Sequence, residues 1–482
     1  CLVGSEMCIR DSTHNLHNGI NANPSGGQLP SVIAPEYKNG KYETEDAYKN
    51  RLKSDFTRSV QTLINHIGKK PRVMVWPYGQ FNDVAVQLAR QAGMPHYFSL
   101  GEKIINKVGD KHIGRLLLNA ETDLNTVKNY LDGIDESKQI QRVLHVDLDY
   151  VYDADKAQQA KNLDKLIDRI YRYGVTTVYL QAFSDPDGDG VADALYFPNK
   201  YLPVRDDIFG RIAWQLQTRA GVQVYAWMPV LAFDLRKSVK EAEYVIDSRT
   251  GKPSTKAYLR LSPYNKQNVE IIKSIYNDLS FYAKFNGILF HDDAFLTDFE
   301  GAEGNHAEGM VSLQAKQKTQ DLIQLTHQLT DALKPYFLRG SYSLKTARNL
   351  YASVITNPNA EEWLAQNLKT LTDNYDTTAI MAMPYMENEQ PISQEEAYQW
   401  FASLIENVKA QAPLDKVLFE FQAVNWRTQK PIPESELIDW MKLLQKNHIY
   451  SYGYYPDNFL TNQPDLNKMK PYFSVNTNVG KP

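Results

Sequence analysis

Cysteine is scarce in this chain of 482 residues, where Cys1 and Cys8 are the two thiols. Two thiols near one end exclude a disulfide framework or a thiolate metal cage as the organising feature of the fold. Charge of one sign is also lacking, because 53 basic and 57 acidic residues leave a net charge of −4. No basic surface is predicted, so nucleic acid is not an expected partner. No apolar run reaches the length of a membrane-spanning helix.

The first segment, 1-CLVGSEMCIRDS-12, has no apolar stretch of the kind that a signal peptide contains. It resembles translated read-through at the end of a gene fragment. We therefore expect residues 1–12 to be non-native and leave them out of the predicted fold. Cys1 is not expected to be a lipid anchor.

Hydrophobic residues make up 43% of the chain and aromatic residues 11%, which is enough for sizeable cores. Residues 46–70 carry apolar side chains at helical spacing, and 72–79 are predicted as a strand followed by a helix at about 82–92. The stripe on the first helix consists of Leu52, Phe56, Val60, Leu63 and Ile67. Residues 118–139 are polar and indicate a helix and a linker. We predict one domain over 13–137 and a second over 138–482.

From residue 142 onward, apolar strands alternate with amphipathic helices. Eight strand–helix units favour a (β/α)8 barrel in the α/β class, with a doubly wound open sheet as the alternative. The predicted strands are 142–150, 176–183, 222–230, 287–295, 336–343, 377–386, 416–424 and 449–455. The predicted helices are 156–173, 206–220, 266–284, 312–333, 360–373, 393–410 and 434–446.

Acidic and aromatic residues gather at the carboxyl ends of these strands, where barrels of this kind place their active sites. Asp147 and Asp149 lie two residues apart, so a strand would present both on one face. The candidate carboxylates are Asp147, Asp149, Asp185, Asp292, Asp293 and Glu420. The candidate sugar-contacting residues are His145, Tyr150, Phe183, Trp227, His291, Tyr385, Trp426, Tyr454 and Tyr455. Single members of this set, such as Trp227 or His145, can equally be core residues.

Carboxylates surrounded by aromatic rings are typical of glycoside hydrolases, in which one acid protonates the leaving oxygen and another carboxylate acts at the anomeric carbon. Carboxylates beyond the required pair suit a positively charged sugar such as glucosamine. No cofactor is expected for the barrel.

The segment 185-DPDGDGVAD-193 matches the start of a calcium-binding loop. The bidentate glutamate that such a loop needs is replaced by Tyr196, so the match is incomplete. A tight acidic turn and a rim loop that meets a cationic substrate are the alternatives.

The order of THNLHNG, VWPYG, HVDLDYVYD, DPDGDG and FHDDAF resembles the PgaB family of two-domain poly-β-1,6-N-acetyl-D-glucosamine N-deacetylases, over nearly all of residues 13–482. The resemblance implies a metal-dependent deacetylase domain followed by a barrel that binds, and in some members cleaves, the partly deacetylated polymer. It also implies a periplasmic, outer-membrane-associated protein that works beside an export porin.

In that family one Asp and two His hold a divalent metal. The resemblance makes His17 the second histidine ligand and places Tyr78 near the oxyanion. The first histidine would fall at Ser12, and the Asp would lie further upstream. We therefore expect an incomplete metal site and no deacetylation by this chain. Without the resemblance, His17 reads as a surface histidine.

By the same resemblance, Asp147, Asp149, Asp292 and Asp293 are expected to be the catalytic carboxylates, with one of the last two as general acid. Glu420 is expected to support them. Two alternatives stay open at this point: a non-catalytic polymer-binding export module, and a barrel hydrolase acting on a neutral glucan.

Overall fold

The computed structural model describes residues 13–100, 106–115, 124, 127–128, 140–301, 311–339, 343–357 and 359–476. The chain divides into two compact units. The first comprises the described part of Cys1–Lys138 together with Asn277–Asn286 and Asp331–Leu344. The second comprises Gln139–Tyr276, Gly287–Thr330 and Lys345–Pro482. Within the described ranges, no helix is both long and apolar enough to cross a membrane.

The first unit is built around a helix, Glu45–Ile67, which begins at the N-cap Thr44 and ends at Gly68. Tyr48, Leu52 and Phe56 on this helix are fully buried. They share a core with residues of a parallel sheet and of the helix Asp83–Gln91. The strands of that sheet are Val73–Val75, His96–Leu100 and His112–Arg115. Short antiparallel pairs join Gly19–Asn21 to Gln28–Pro30 and Tyr37–Lys38 to Lys41–Tyr42.

The second unit is a closed barrel of parallel strands, which confirms the predicted barrel and excludes the open sheet. Most strand positions are buried apolar residues, as expected for strands covered on both faces. In chain order the strands are β1 Arg142–Val146, β2 Thr177–Gln181, β3 Gln223–Met228, β4 Gly287–Phe290, β5 Lys345–Tyr351, β6 Thr377–Met381, β7 Val417–Gln422 and β8 Tyr452–Tyr455.

Amphipathic helices cover the barrel, and their ends carry recognisable caps. The first begins at Asp155, whose carboxylate accepts from the Ala157 amide, and ends at the left-handed Gly174. The helices are α1 Lys156–Tyr173, α2 Phe209–Gln215, α3 Lys266–Tyr282, α4 Val311–Leu333, α5 Leu368–Asn374, α6 Gln394–Gln411, α7 Glu434–Lys446 and α8 Leu466–Phe473.

The fifth predicted strand is wrong. Residues 336–343 precede the strand, and β5 is Lys345–Tyr351. Tyr336 and Phe337 follow the end of α4, and both side chains are buried. A buried segment after a helix and a buried strand have the same hydrophobic pattern in sequence, so this segment was predicted as the strand.

The predicted shared face of Asp147 and Asp149 is also wrong. Strand β1 ends at Val146, and Asp147 is the N-cap of a single helical turn, Leu148–Val151, that contains Asp149. Strands β2, β3, β4, β6 and β7 also end earlier than predicted, so Asp292 and Asp293 follow β4 in a connecting loop, whereas β8 ends at Tyr455 as predicted. The predicted domain limits at 12 and 137 stay predictions, because residues 1–12 and 131–139 lie outside the described ranges.

Candidate functional site

Aromatic rings meet at the carboxyl end of the barrel, around Trp227 at the end of β3. The ring centroids of His145 and His291 each lie 5.2 Å from that of Trp227. Those of Phe183 and Tyr455 lie 5.5 Å from it. His145, Trp227 and Tyr455 lie on barrel strands, and Phe183 and His291 lie just after β2 and β4, so the strand ends bring predicted site residues from across the sequence into one cluster.

Glu420 on β7 anchors the base of this cluster. Its Oε1 lies 2.6 Å from His145 Nε2, and its Oε2 accepts a hydrogen bond of 2.6 Å from Asn349 Nδ2. The Glu420 side chain is 1% exposed. Both of its oxygens are held by neighbours, so Glu420 fixes the orientation of His145, and its predicted supporting role stays a prediction.

The carboxyl of Asp147 has a pKa well above its usual value. Burial, together with the negative charges of Asp149 and Asp185, raises the pKa of its carboxyl to about 7. A hydrogen bond with Tyr455 only partly offsets this effect. The protonated form of Asp147 therefore predominates below about pH 7, and a protonated carboxyl is the state that a general acid needs.

The carboxyl of Asp292, directly after β4, is held in the ionised state. The Tyr258 hydroxyl lies 3.0 and 2.9 Å from its two oxygens, the Tyr351 hydroxyl donates at 2.8 Å, and His291 Nδ1 lies 2.9 Å from Oδ1. Burial raises the pKa of Asp292, but His291 and these hydroxyls outweigh burial and hold it below its usual value. Burial lowers the pKa of His291, but the neighbouring Asp292 and Asp293 raise it overall.

Asp293 lies behind the cluster rather than in it. Its carboxylate is 0% exposed and accepts the backbone N–H groups of Val230, Leu231 and Ala232 at 2.6–3.0 Å. Burial raises its pKa despite these donors. Because Asp293 is sealed from solvent, it anchors the loop after β3. The predicted choice of a general acid from the pair Asp292 and Asp293 stays a prediction.

Asp149 organises the rim between β1 and β2. Its carboxylate accepts from Tyr196 Oη at 2.6 Å, from Ser184 Oγ at 3.0 Å and from the Asp185 amide at 3.0 Å. The Arg205 guanidinium pairs with it at 2.5 Å. This carboxylate is occupied by its own neighbours, so it acts as an anchor for three chain segments.

Replacing Asp149 with Asn is therefore expected to destabilise the barrel by roughly 1–3 kcal/mol, the usual contribution of a hydrogen bond to a charged group. Thermal unfolding followed by circular dichroism measures the effect. Asp168→Asn is the matched control, because Asp168 is 62% exposed and pairs with Arg172 on the surface of α1. Equal melting temperatures for the two variants would contradict the anchoring role.

The acidic turn contains Asp185, Asp187 and Asp189, whose carboxylate oxygens lie within 4.8 Å of one another. Asp185 accepts backbone N–H groups from Gly188 and Asp189 through Oδ1 and from Gly190 through Oδ2, at 2.9–3.1 Å. Burial raises the pKa of Asp185 to about 6. These bonds are those of a turn closed by its first aspartate.

Some predicted substrate-binding residues lie away from the cluster. Tyr454 faces the helices, because its neighbour Tyr455 faces inward; its ring is fully buried and its hydroxyl donates to Asp457. The Tyr385 hydroxyl donates to Glu436 on α7 at 2.5 Å. Trp426 is half-buried at the edge, with its ring centroid 6.2 Å from that of Tyr455.

Tyr150 lies beside the acid on the short helical turn after β1. Burial, together with Asp147 and Asp149, raises the pKa of the Tyr150 hydroxyl. The Tyr150 hydroxyl therefore lies near enough to both carboxylates to feel their charge.

In the first unit, His17 and Tyr78 lie together on the surface, with ring centroids 4.8 Å apart. Asp55 pins the histidine segment by accepting the amides of His14 and Asn15 at 2.9 and 2.7 Å. A catalytic metal needs three protein ligands. Within the described residues, His17 belongs to no group of three metal-ligating side chains. The described residues therefore do not fit the metal that the family implies, and no reaction step is derived through it.

The structure adds site residues that the sequence pattern missed. Tyr351 and Asn349 lie on β5, and correct placement of that strand would have revealed both at its carboxyl end. Tyr258 and Arg205 come from long connecting loops without periodicity, so the sequence carried no signal for them.

Two family models match the chain. "Hypothetical glycosyl hydrolase family 13" matches residues 145–455, and "Polysaccharide deacetylase" matches residues 37–97. The poly-beta-1,6-N-acetyl-D-glucosamine N-deacetylase of Escherichia coli K12 is 38% identical over 493 residues, which cover 97% of this chain and 72% of that protein. An N-deacetylase of the same name from Staphylococcus aureus MSSA476 is 28% identical over 20% of this chain and 34% of its own length.

Among solved structures, the PgaB (BpsB) glycoside hydrolase domain from Bordetella bronchiseptica is similar to this chain. It superposes with a TM-score of 0.65 and 38% identity, over 70% of this chain and 100% of that domain. The clustered carboxylates described above lie within the span matched by the glycosyl hydrolase model.

Proposed function

This chain belongs to the poly-β-1,6-N-acetyl-D-glucosamine N-deacetylase (PgaB) family of hydrolases, and from this premise we propose that its barrel binds and cleaves the partly deacetylated polymer. One observation carries the proposal. Two carboxyl groups at the same end of the barrel have pKa values shifted in opposite directions, upward at Asp147 and downward at Asp292. Such a divided pair assigns acid and anion roles within one site.

In the proposed reaction, Asp147 donates its proton to the glycosidic oxygen as the bond to the anomeric carbon breaks. Asp292, ionised and fixed by Tyr258 and Tyr351, supplies the negative charge that stabilises the positive charge developing at that carbon. The glycosidic oxygen leaves as a hydroxyl, and water completes the hydrolysis. Asp147 is then ionised and recovers a proton from water.

Trp227 gives the sugar an apolar surface within the ring cluster. Among the described residues, His145 Nδ1, Asp147 Oδ1 and Trp227 Nε1 are buried polar atoms of this cluster without a hydrogen-bond partner. Buried polar groups are almost always satisfied, so these atoms are suited to bind the hydroxyl and amine groups of a sugar.

Carboxylates beyond the catalytic pair favour a cationic substrate. Asp149 and Asp185 lie close enough to Asp147 to raise its pKa, so they add negative charge at the site. A glucosamine unit carries an ammonium group that this charge attracts, whereas a neutral glucan has no such group. This favours the deacetylated polymer over a neutral glucan.

The family name refers to N-deacetylation of the same polymer, but the described residues of the first unit do not fit the metal that this reaction uses. For the deacetylase unit we propose only that His17 and Tyr78 belong to the substrate groove. From the family resemblance, we further propose a periplasmic, outer-membrane-associated protein that works beside an export porin.

We expect the full chain to shorten partly deacetylated β-1,6-linked N-acetylglucosamine oligomers and to leave fully acetylated oligomers intact. Mass spectrometry of the products, with both oligomers at equal concentration, measures this difference. Binding of the deacetylated oligomer without shorter products would make the barrel a non-catalytic export module. Cleavage of both oligomers at equal rates would overturn the selectivity for a cationic sugar.

A further inference from the structure

Tyr258 makes a close contact with the catalytic anion. It lies in the loop after β3, and its hydroxyl reaches both oxygens of Asp292, at 3.0 and 2.9 Å. Its ring also packs edge-on against His291, with centroids 5.6 Å apart. One phenol thus contacts both members of the Asp292–His291 pair.

The place of this phenol is fixed by a glycine on another loop. Gly190 ends the acidic turn after β2, and its φ is +79°. A Cβ at position 190 would lie 2.0 Å from Tyr258 Cε1 and 2.4 Å from Cδ1. Both distances are far below van der Waals contact, so any side chain at 190 must displace the Tyr258 ring.

The loop that carries Tyr258 is held rigidly on its other side. Ala257 has a φ of +56°, a conformation that non-glycine residues rarely adopt and that marks sites where surrounding structure dictates the backbone. Arg260, two residues after Tyr258, forms a fully buried ion pair of 2.6 Å with Glu300. The backbone on both sides of Tyr258 is therefore constrained by its surroundings.

A continuous series of contacts thus links the two acidic strand ends. Asp149 accepts the Asp185 amide at 3.0 Å, and Asp185 accepts the Gly190 amide at 2.9 Å. Gly190 lies against the Tyr258 ring, whose hydroxyl donates to Asp292. The acidic turn therefore has a structural use that needs no bound ion.

We propose that Tyr258 is the positioning residue for Asp292, and that the turn ending at Gly190 sets its place. The inference rests on the proposed function, in which Asp292 is the catalytic anion. The other groups that face Asp292 are Tyr351, His291, Asp293 and Tyr455. Tyr258 adds a neutral donor to this set, so it favours the ionised carboxylate without adding charge.

Tyr258→Phe tests the hydroxyl. It is expected to lower kcat roughly tenfold or more with KM little changed, since a hydrogen bond to a charged group is lost at the reacting end of the site. The acidic limb of the pH profile moves to higher pH, because the ionised form of Asp292 loses a donor. An unchanged acidic limb and kcat would overturn the proposal.

Gly190→Ala tests the contact, and Gly188→Ala is its matched control. Gly188 lies in the same turn with a φ of +74°, but a Cβ there meets no atom within 4 Å. Both substitutions strain the backbone alike, and only the first displaces Tyr258. In a Tyr258→Ala background, Gly190→Ala is expected to cost no more activity than Gly188→Ala does. Equal losses of activity from Gly190→Ala and Gly188→Ala in the otherwise unchanged chain would show that the turn does not set the position of Tyr258.

A second measurement separates this inference from the proposed function. Carbon-13 NMR of aspartate carboxyls, with Asp292 assigned by its Asn variant, follows its ionisation without any turnover. Tyr258→Phe and Gly190→Ala are expected to raise the Asp292 pKa, and Gly188→Ala is not. A wild-type chain without cleavage, but with these shifts, would reject the proposed function and retain the positioning role. Cleavage by the wild type without these pKa shifts would retain the proposed function and reject the positioning role.

Discussion

Replacing Asp292 with Asn is expected to reduce cleavage of the partly deacetylated oligomer by about 1,000-fold, the size of effect seen when a group that stabilises transition-state charge is removed. Asn has nearly the same shape and still accepts hydrogen bonds from Tyr258 and Tyr351, but it carries no negative charge. The loss should appear in kcat, with oligomer binding largely retained. Single-turnover rates and isothermal titration calorimetry measure the two quantities separately.

Asp373→Asn is the control for this variant, because Asp373 is 60% exposed on α5 and pairs with Lys369. It should cleave at the wild-type rate. If Asp292→Asn instead binds the oligomer poorly and turns over what it binds normally, Asp292 is a binding residue and the assigned role is wrong.

The second large effect concerns the acid. Asp147→Asn is expected to lower cleavage of the oligomer by about 100- to 10,000-fold, the range for general acid catalysis. The wild-type rate should fall as pH rises through about 7, because Asp147 must be protonated to act and burial raises its pKa to about 7. A rate that is flat from pH 6 to pH 9 would exclude Asp147 as the acid.

The raised pKa of Asp147 also makes the stability of the fold depend on pH. Burial raises the folded-state pKa of Asp147 above its unfolded value, so its stabilising contribution is complete below the unfolded pKa near 3.8 and is lost as pH rises through about 7. At pH 8 the wild type buries a charge that Asp147→Asn does not. The variant should therefore have a higher melting temperature at pH 8, and the difference should shrink toward pH 4. A destabilised variant at pH 8 would contradict this reading of the site.

The sequence predicted the barrel because buried strands and amphipathic helices differ in periodicity, and α1 and α7 end at the predicted residues. It misplaced β5 because the buried residues after α4 are as apolar as a strand. Because β5 was misplaced, Asn349 and Tyr351 were not recognised as candidate site residues. Loop positions such as Tyr258 depend on tertiary contacts that leave no periodic signal in sequence.

The sequence predicted that the site residues lie near one another, but it did not predict the environment of each residue. Asp147, Asp292, Glu420 and Trp227 converge because strand ends meet at one end of a barrel. The separate roles of Asp147 and Asp293 depend on burial and on nearby donors, which the spacing of residues along a chain does not encode. Both Tyr454 and Tyr455 were predicted to contact the sugar, but adjacent residues of a strand face opposite sides of the sheet, so the two side chains cannot both face inward.

The most direct test of the central claim compares two leaving groups. An aryl glycoside of the partly deacetylated oligomer carries a leaving group that needs no proton. We predict that Asp147→Asn hydrolyses this aryl glycoside at nearly the wild-type rate while failing on the natural linkage, and that Asp292→Asn fails on both. If Asp147→Asn is equally impaired on both substrates, or Asp292→Asn cleaves the aryl glycoside normally, then the division into a protonated Asp147 and an ionised Asp292 is wrong.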